Sequence, residues 1–208
     1  MPDETTMRSK RWAEYYRHHE RRPVSPLLKR AMTHLPAQPQ PRQAVDLGCG
    51  SGSETRFLLE AGWDVFAVDQ EPGAIERVRN LQPADSTARL ETKVSSFEAL
   101  DTLPESMLIH AGLSLPFCHP RSFPELWRLI LSALGPGGVF VGHLFGDRDG
   151  WSANPNLTFH TAEEVAELLT DLNIHYLHEV DEDGSSMQGP KHWHRFDIVA
   201  TSIQAEVK

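Results

Sequence analysis

A short apolar strand that runs directly into alternating glycines constrains this fold more than any other feature of the chain. Residues 45–52 read Val-Asp-Leu-Gly-Cys-Gly-Ser-Gly, and a helical pattern begins near Ser53. Glycines in such a loop allow a ligand to come close to the main chain, and the helix adds unpaired N–H groups and a positive dipole end. The pattern therefore predicts a strand, a ligand-binding loop with exposed N–H groups, and a helix.

The acid inside this strand indicates what kind of ligand the loop receives. Asp46 is placed to meet a cation, while the loop offers N–H donors to an anion. This combination suits the ammonium and carboxylate of the methionine part of S-adenosylmethionine (SAM). The dinucleotide fingerprint Gly-x-Gly-x-x-Gly fits less well, because its third glycine falls on Ser53 or on Thr55, depending on the register. A glycine cluster without a ligand stays open as an alternative.

A second strand is predicted at residues 63–68, after a helix at 53–61 that Gly62 ends. Asp69 follows this strand at its carboxyl end. A carboxylate about 20 residues after the first glycine of a nucleotide-binding loop is placed to accept hydrogen bonds from ribose hydroxyls. The alternative is that Asp69 caps the helix that begins near Pro72.

The run from Asp46 to Gly52 resembles motif I of the class I SAM-dependent methyltransferases, which is an acid, any residue, then Gly-x-Gly-x-Gly. The resemblance implies an α/β fold with a single Rossmann-like doubly wound sheet and an N-terminal helical segment. Its seven strands would follow the order 3-2-1-4-5-7-6, with strand 7 antiparallel. The cofactor would be SAM, with S-adenosylhomocysteine as product. The residues assigned to it by this match are Asp46, Gly48, Cys49, Gly50, Gly52, Asp69, Gln70, Ser96, Phe97 and Ser114.

Later segments continue the family pattern with one departure. A third strand is predicted at 90–94, and family members often carry after it an Asp that accepts from the adenine amino group. Ser96 stands there in this chain, so main-chain groups near Phe97 or the Glu98 carboxylate are expected to take over that contact. A fourth strand at 107–115 would bring residues 114–117 near the sulfonium. The Gly-Pro-Gly-Gly run at 135–138 resembles the family's turn before strand five.

Length, composition and charge limit the classes of protein to which this chain can belong. A chain of 208 residues with 39% hydrophobic and 24% charged residues suits one globular domain. Its net charge of −9 argues against nucleic-acid binding, although residues 8–22 are locally basic and RNA or phosphate binding there stays open. No apolar run approaches the ~20 residues of a membrane span. Two cysteines do not form a disulfide framework, which predicts a cytoplasmic location.

The Pro-rich stretch at 36–41 divides the chain into an N-terminal helical extension, residues 1–36, and a methyltransferase domain, residues 37–208. Trp12, Tyr15 and Tyr16 have the spacing of one helical face; they either lid the site or dock the helix on the core. Capping-box spacing predicts helix starts at Ser122 and Thr161. Two final strands, at 174–180 and 193–201, are predicted to flank a polar loop.

The acceptor side is predicted in two polar segments, residues 146–151 and 190–195. The first follows the carboxyl end of a central strand, although a charged surface turn is an equal alternative there. We expect Asp147 and His192 to act as catalytic groups where the acceptor must lose a proton. His192 and His194 share one face of a strand. Without a third ligand at metal-binding spacing, contact with the substrate or packing at the sheet edge is favoured over a metal. Residues expected to contact the acceptor are Tyr16, Phe117, Arg148, Trp151 and His194.

The chain as a whole is similar to bacterial small-molecule methyltransferases of the tellurite-resistance and thiopurine type. Nucleic-acid amino methyltransferases carry the signature Asn/Asp-Pro-Pro-Tyr/Phe. Residues 113–117 of this chain read Leu-Ser-Leu-Pro-Phe in its place. The predicted function is therefore methyl transfer from SAM to a small molecule by a monomer or homodimer. Two alternatives stay open: a SAM- or S-adenosylhomocysteine-binding sensor without catalysis, and a nicotinamide-dependent oxidoreductase on a similar fold.

Overall fold

One twisted sheet carries the domain. The computed structural model describes residues 22–81, 87–186 and 188–203, and its strands follow the order β3-β2-β1-β4-β5-β8-β7, with β6 beside the end of β5. Strand β8 is antiparallel to both of its neighbours, and the other pairs are parallel. The strands are β1 (Gln43–Leu47), β2 (Asp64–Asp69), β3 (Leu90–Val94), β4 (Ser106–Ala111), β5 (Leu134–Gly146), β6 (Phe159–His160), β7 (Leu172–Ser186) and β8 (Gly189–Ser202).

The predicted architecture is confirmed, and one short strand is added to it. The two last strands of the predicted order are β7 and β8, and the two-residue β6 is the addition. The strand order of the whole sheet reverses direction between β1 and β4. This is the switch point, where sheets of this kind bind ligands at the carboxyl ends of their strands. No helix within the described ranges is both long and apolar enough to cross a membrane.

Helices cover both faces of the sheet. The central strands are buried on each side, as expected for a parallel sheet between two helical layers. Helices α1 (Pro26–Met32), α2 (Ser53–Glu60) and α3 (Pro72–Arg79) pack on one face, against a core that includes Val65 and Leu108. Helices α4 (Phe123–Ala133) and α5 (Ala162–Leu168) pack on the other, against a core that includes Phe140.

Several strand boundaries differ from the sequence prediction. The predicted turn at 135–138 lies inside β5, which begins at Leu134, because the run is accommodated as an irregularity opposite Ser106–Leu108 of β4. Strand β4 ends at Ala111 rather than at residue 115, because Leu113 adopts φ 55° and a short 3₁₀ turn spans Leu115–Phe117. The polar loop predicted between the last two strands is instead a paired hairpin. Strands β7 and β8 remain in register as far as Ser186 and Gly189, since their polar side chains bond to one another across the ladder.

The two predicted capping boxes have different outcomes. Thr161 accepts from the main-chain N–H of Glu164, and the Glu164 side chain accepts from the N–H of Thr161. Ser122 makes no such bond from its side chain, and its predicted partner Glu125 pairs instead with Arg128. Identical spacing therefore produces a cap only at α5.

These caps are a matched pair for mutation. Thr161→Ala is expected to lower the free energy of unfolding by about 1 kcal/mol, because it leaves a helix N–H without its acceptor. Ser122→Ala removes no capping bond and is expected to cost less than about 0.5 kcal/mol. Urea unfolding of both variants measures the difference; equal losses would contradict the assignment.

Candidate functional site

The glycine loop after β1 is fastened to the end of β2. The N–H groups of Gly48 and Cys49 donate to the Val68 carbonyl at 2.8 and 3.0 Å. The N–H of Gly50 donates to Asp69 Oδ2 at 2.9 Å. The prediction of exposed N–H groups is therefore wrong for these three residues, because the neighbouring strand satisfies them.

The glycines are required by conformation and by close packing instead. Gly48, Gly50 and Gly52 have φ of 72°, 53° and 82°, a region that favours glycine. A Cβ at Gly48 would lie 2.4 Å from Cβ of Ser114, whose hydroxyl donates to the Leu47 carbonyl at 2.6 Å. The segment after β4 is thus pressed against the glycine loop, and the two line one edge of the sheet.

Asp69 organises the carboxyl end of β2. Its side chain is 4% exposed, and Oδ1 accepts from the N–H of Glu71 at 2.9 Å while Oδ2 accepts from Gly50. Because Glu71 is the cap of α3, Asp69 does not hold the N-cap position that was its alternative role. The Asp69 carbonyl also accepts from the N–H of Ser95, which brings the segment that carries Ser96 and Phe97 to the same edge.

Asp46 is turned into the protein behind the loop. Its side chain is 1% exposed, with Oδ2 accepting from the Thr55 hydroxyl at 2.6 Å and Oδ1 2.8 Å from Nδ1 of His110. Burial acts to lower the pKa of His110, but the hydrogen bond and charge of Asp46 outweigh it and raise that pKa. Through these two contacts Asp46 connects β1 to α2 and to β4 inside the protein.

Cys49 lies in the loop but has no nucleophilic character. Its side chain is buried, and burial, followed by the charges of Asp46 and Asp69, holds the pKa of the thiol well above its ordinary value. The thiolate is the reactive form of cysteine. Cys49 therefore contributes packing and its main chain to this site.

The segment before α1 is clamped to the helix that follows the loop. Both carboxylate oxygens of Glu54 bind the guanidinium of Arg22, with Nη1 2.7 Å from Oε1, and Oε1 also accepts from the N–H of Ser25. Glu54 is 2% exposed and Arg22 is 36% exposed. This ion pair neutralises a buried carboxylate in the first turn of α2.

Arg22→Met is expected to lower the free energy of unfolding by about 1–3 kcal/mol, because it leaves the buried Glu54 carboxylate without its cation. Arg128→Met is the control, since its pair with Glu125 is exposed on both sides and contributes less than about 1 kcal/mol. Thermal and urea unfolding report both losses. A loss for Arg22→Met no larger than that of the control would contradict the clamp.

His143 is a second imidazole, largely buried, on the same face of the sheet as His110. Its Nδ1 accepts from the N–H of Leu113 at 3.2 Å, and Nε2 lies 3.7 Å from Oδ1 of Asp197. Burial lowers the pKa of His143 to about 4; the charge of Asp197 opposes this, and those of His110 and Arg195 add to it. The ring is therefore neutral near neutral pH.

This pKa predicts acid sensitivity. Below the ordinary value of 6.5 the unfolded chain gains a proton that folded His143 refuses until about pH 4, so stability is lost as pH falls through that window. His143→Gln keeps an acceptor for Leu113 and removes the titration. Its loss of unfolding free energy between pH 7.5 and 5 should be smaller than that of the parent by about 2 kcal/mol. Urea titrations at both pH values measure this; parallel losses would contradict it.

The predicted acceptor residues separate into two groups on opposite faces of β8, because side chains alternate along a strand. The first is a charged cluster on the outer face of the hairpin. Arg148 donates to Glu179 at 2.7 Å and to Asp181 at 2.6 Å, and its N–H donates to Nδ1 of the buried His194. His192 lies 2.7 Å from both Asp181 and Asp183, which raise its pKa.

The charged cluster places three possible metal ligands together. Ligand atoms of Glu179, Asp181 and His194 lie within 4.8 Å of one another. The guanidinium of Arg148 lies among them, with Nη2 3.0 Å from Nε2 of His194. A cation of the chain itself therefore occupies this position. Asp147 is at its border, 3.4 Å from His194 and 3.6 Å from Arg148.

The second group is aromatic and lies at the carboxyl ends of β4 and β5. Phe117 contacts Phe145 and Trp151 at ring-centroid distances of 6.3 and 6.4 Å. Trp193 lies 6.0 Å from both Phe145 and Trp151. Phe117 follows Ser114 by one turn, so this aromatic group begins beside the glycine loop. Of the predicted contact residues it brings together Phe117 and Trp151, whereas Arg148 and His194 belong to the charged cluster, and Tyr16 lies outside the described residues.

Several residues of the site were not predicted. His110 and His143 stand inside apolar strands, where a histidine gives no signal of its partner. Lys191 and Asp149 form a buried ion pair between the two polar segments, and neither residue differs in sequence from a surface charge. The Arg-Asp-Gly-Trp run at 148–151 was the available signal for Asp149, because an Asp before Gly often organises its own turn.

Comparison with known proteins agrees with this geometry. Residues 44–138 match the family model described as a methyltransferase domain. A curated relative, the carboxy-S-adenosyl-L-methionine synthase of Erwinia tasmaniensis, is 32% identical over 106 residues, which cover 48% of this chain and 42% of that protein. The chain thus spans less than half the length of this relative.

Solved structures share the fold. A putative methyltransferase of Haloferax volcanii, in complex with the Trm112 methyltransferase activator, has a TM-score of 0.69 at 16% identity over 96% of this chain and 97% of that one. TehB of Haemophilus influenzae has 0.66 at 17%, over 77% and 57%. The N-methyltransferase NodS of Bradyrhizobium japonicum WM9, in complex with S-adenosyl-L-homocysteine, has 0.55 at 20%, over 75% and 77%.

Proposed function

The chain carries a class I SAM-dependent methyltransferase domain, and on this premise we propose that it transfers the methyl group of SAM to a small-molecule acceptor. One observation carries the proposal. The glycine loop, Asp69 and Ser114 meet at the carboxyl ends of β1, β2 and β4, where the strand order reverses and sheets of this kind bind ligands.

The residues of this edge fit the donor. Residues 48–52 carry glycine at three of their five positions, each with a positive φ, and Ser114 closely approaches Gly48. Asp69 ends β2 about 20 residues after the first glycine of the loop, the position at which nucleotide-binding folds carry the acid that accepts from ribose hydroxyls. The donor residues of the proposal are those matched to motif I and its successors: Asp46, Gly48, Cys49, Gly50, Gly52, Asp69, Gln70, Ser96, Phe97 and Ser114.

SAM, when bound, supplies a methyl group on a positively charged sulfur. The chain's task is then to align donor and acceptor and to keep water away, because positioning accounts for much of the rate of such a displacement. Phe117 lies one 3₁₀ turn after Ser114, and Trp151 packs beside it. We assign the acceptor to this aromatic wall.

Catalytic roles for Asp147 and His192 stay predictions. His192 is held by Asp181 and Asp183, which raise its pKa; this shift favours the protonated ring and therefore acts against proton abstraction. Arg148 donates to Asp181 and Glu179, and His194 bonds to Glu179. We retain all four as residues that shape the outer border of the acceptor site.

The remaining parts of the proposal follow from the sequence. They are an N-terminal segment at 1–36, of which α1 packs on the sheet, a methyltransferase domain at 37–208, a cytoplasmic location, and a monomer or homodimer. The alternative is a SAM- or S-adenosylhomocysteine-binding sensor. Transfer of label from methyl-labelled SAM to small molecules of a deproteinised cell extract separates the two: time-dependent labelled product supports catalysis, and binding without product supports the sensor.

Asp69→Ala is expected to raise the dissociation constant for S-adenosylhomocysteine about tenfold or more, because charge-assisted hydrogen bonds contribute roughly 1.5–3 kcal/mol each. Asp64→Ala is the control. Asp64 stands at the other end of β2 and accepts from the N–H of Arg89, so it should change stability without changing affinity. Calorimetric titration of both variants decides, and unchanged affinity in a folded Asp69→Ala protein would contradict the donor assignment.

A further inference from the structure

A lysine ammonium lies inside the aromatic group. Nζ of Lys191 is 3.5 Å from the ring centroid of Trp193, 4.4 Å from that of Trp151 and 4.8 Å from that of Phe145. Such distances place a cation on the negative faces of three rings, the geometry that recognises alkylammonium ligands. Here the side chain is 1% exposed, so the occupant of the cage belongs to the chain itself.

A carboxylate closes the remaining side of this cage. Asp149, whose side chain is fully buried, pairs with the Lys191 ammonium. It also accepts from the N–H of Trp151 at 3.0 Å and from the N–H of His194 at 3.3 Å. Burial lowers the pKa of Lys191, and Asp149 acts in the opposite direction. Because the Trp151 N–H donates to Asp149, the same carboxylate holds both Trp151 and the Lys191 ammonium in place.

The filled cage borders the wall to which we assign the acceptor. Phe145 and Trp151 each contact Phe117, and Phe117, Trp151 and Trp193 are only partly buried. A second cation at this wall would meet ring faces that already serve Lys191. Asp149 balances the Lys191 charge, so the occupied ring faces, rather than charge repulsion, disfavour a second cation here.

We propose that Lys191 permanently fills an aromatic cation cage beside the acceptor, so that the acceptor group which meets Phe117 and Trp151 is uncharged or anionic. The proposal rests on the proposed function for its acceptor. It makes Lys191 a positioning residue that selects the class of substrate, and it disfavours quaternary and primary ammonium compounds at this wall.

Chemical rescue of Lys191→Ala tests the cage. The substitution removes a propyl chain and its ammonium, so n-propylammonium is the matching probe and 1-propanol is its uncharged counterpart. Lys191→Ala should bind n-propylammonium at least tenfold more tightly than the parent, with a saturable rise in melting temperature. Neither 1-propanol nor sodium chloride should produce that rise. Lys93→Ala is the control, because Lys93 pairs with Asp101 at the surface and leaves no cage.

Each outcome of the rescue experiment either supports the cage or overturns it. Equal responses of parent and variant to n-propylammonium, or equal responses of the variant to n-propylammonium and 1-propanol, would overturn the proposal. If Lys191→Ala does not fold alone, it is refolded with each probe: recovery with n-propylammonium only supports the cage, and no recovery overturns it. Asp149→Asn combined with Lys191→Ala should weaken the rescue, since the cation loses its carboxylate.

Parallel titration of the parent with S-adenosylhomocysteine separates this test from the proposed function. Binding of that compound together with failed rescue would remove only the cage. Successful rescue without binding of that compound would leave the cage in place and remove the methyltransferase assignment.

Discussion

The attachment of the glycine loop to the end of β2 is the interaction on which the rest of the site depends. The Val68 carbonyl and the Asp69 carboxylate take the N–H groups of three successive loop residues, Gly48 to Gly50. These bonds hold the loop in place with its glycines in left-handed conformations, and Ser114 packs against Gly48. The edge of the sheet to which we assign the donor is therefore built from neighbouring strands rather than from motif I alone.

Strand β8 organises the other half of the site by the alternation of its side chains. His192 and His194 point to the charged cluster with Arg148, while Lys191 and Trp193 belong to the aromatic group with Trp151. Residues that look alike in sequence, a run of basic and aromatic side chains, thus serve opposite faces. The buried pair of Lys191 with Asp149 joins β8 to the loop after β5.

Sequence reasoning predicted the apolar strands from local patterns and the sheet order from the resemblance to the methyltransferase family, and the structure confirms this order. The glycine spacing, the apolar strands and Asp69 are readable along the chain. It failed where partners are distant in sequence. The loop amides bond to the end of β2, about 20 residues away along the chain, which satisfies these backbone groups. Residues 181–186 pair with residues 189–194 as a hairpin instead of forming a loop. The Ser122 box shows that spacing alone does not make a cap.

Calorimetric titration of the purified protein with SAM, S-adenosylhomocysteine and NAD tests the central claim most directly. A donor site built by the glycine loop and Asp69 predicts saturable binding of both adenosyl compounds and no binding of NAD. A folded protein that binds neither adenosyl compound, or that binds NAD in their place, would contradict the account of this edge of the sheet.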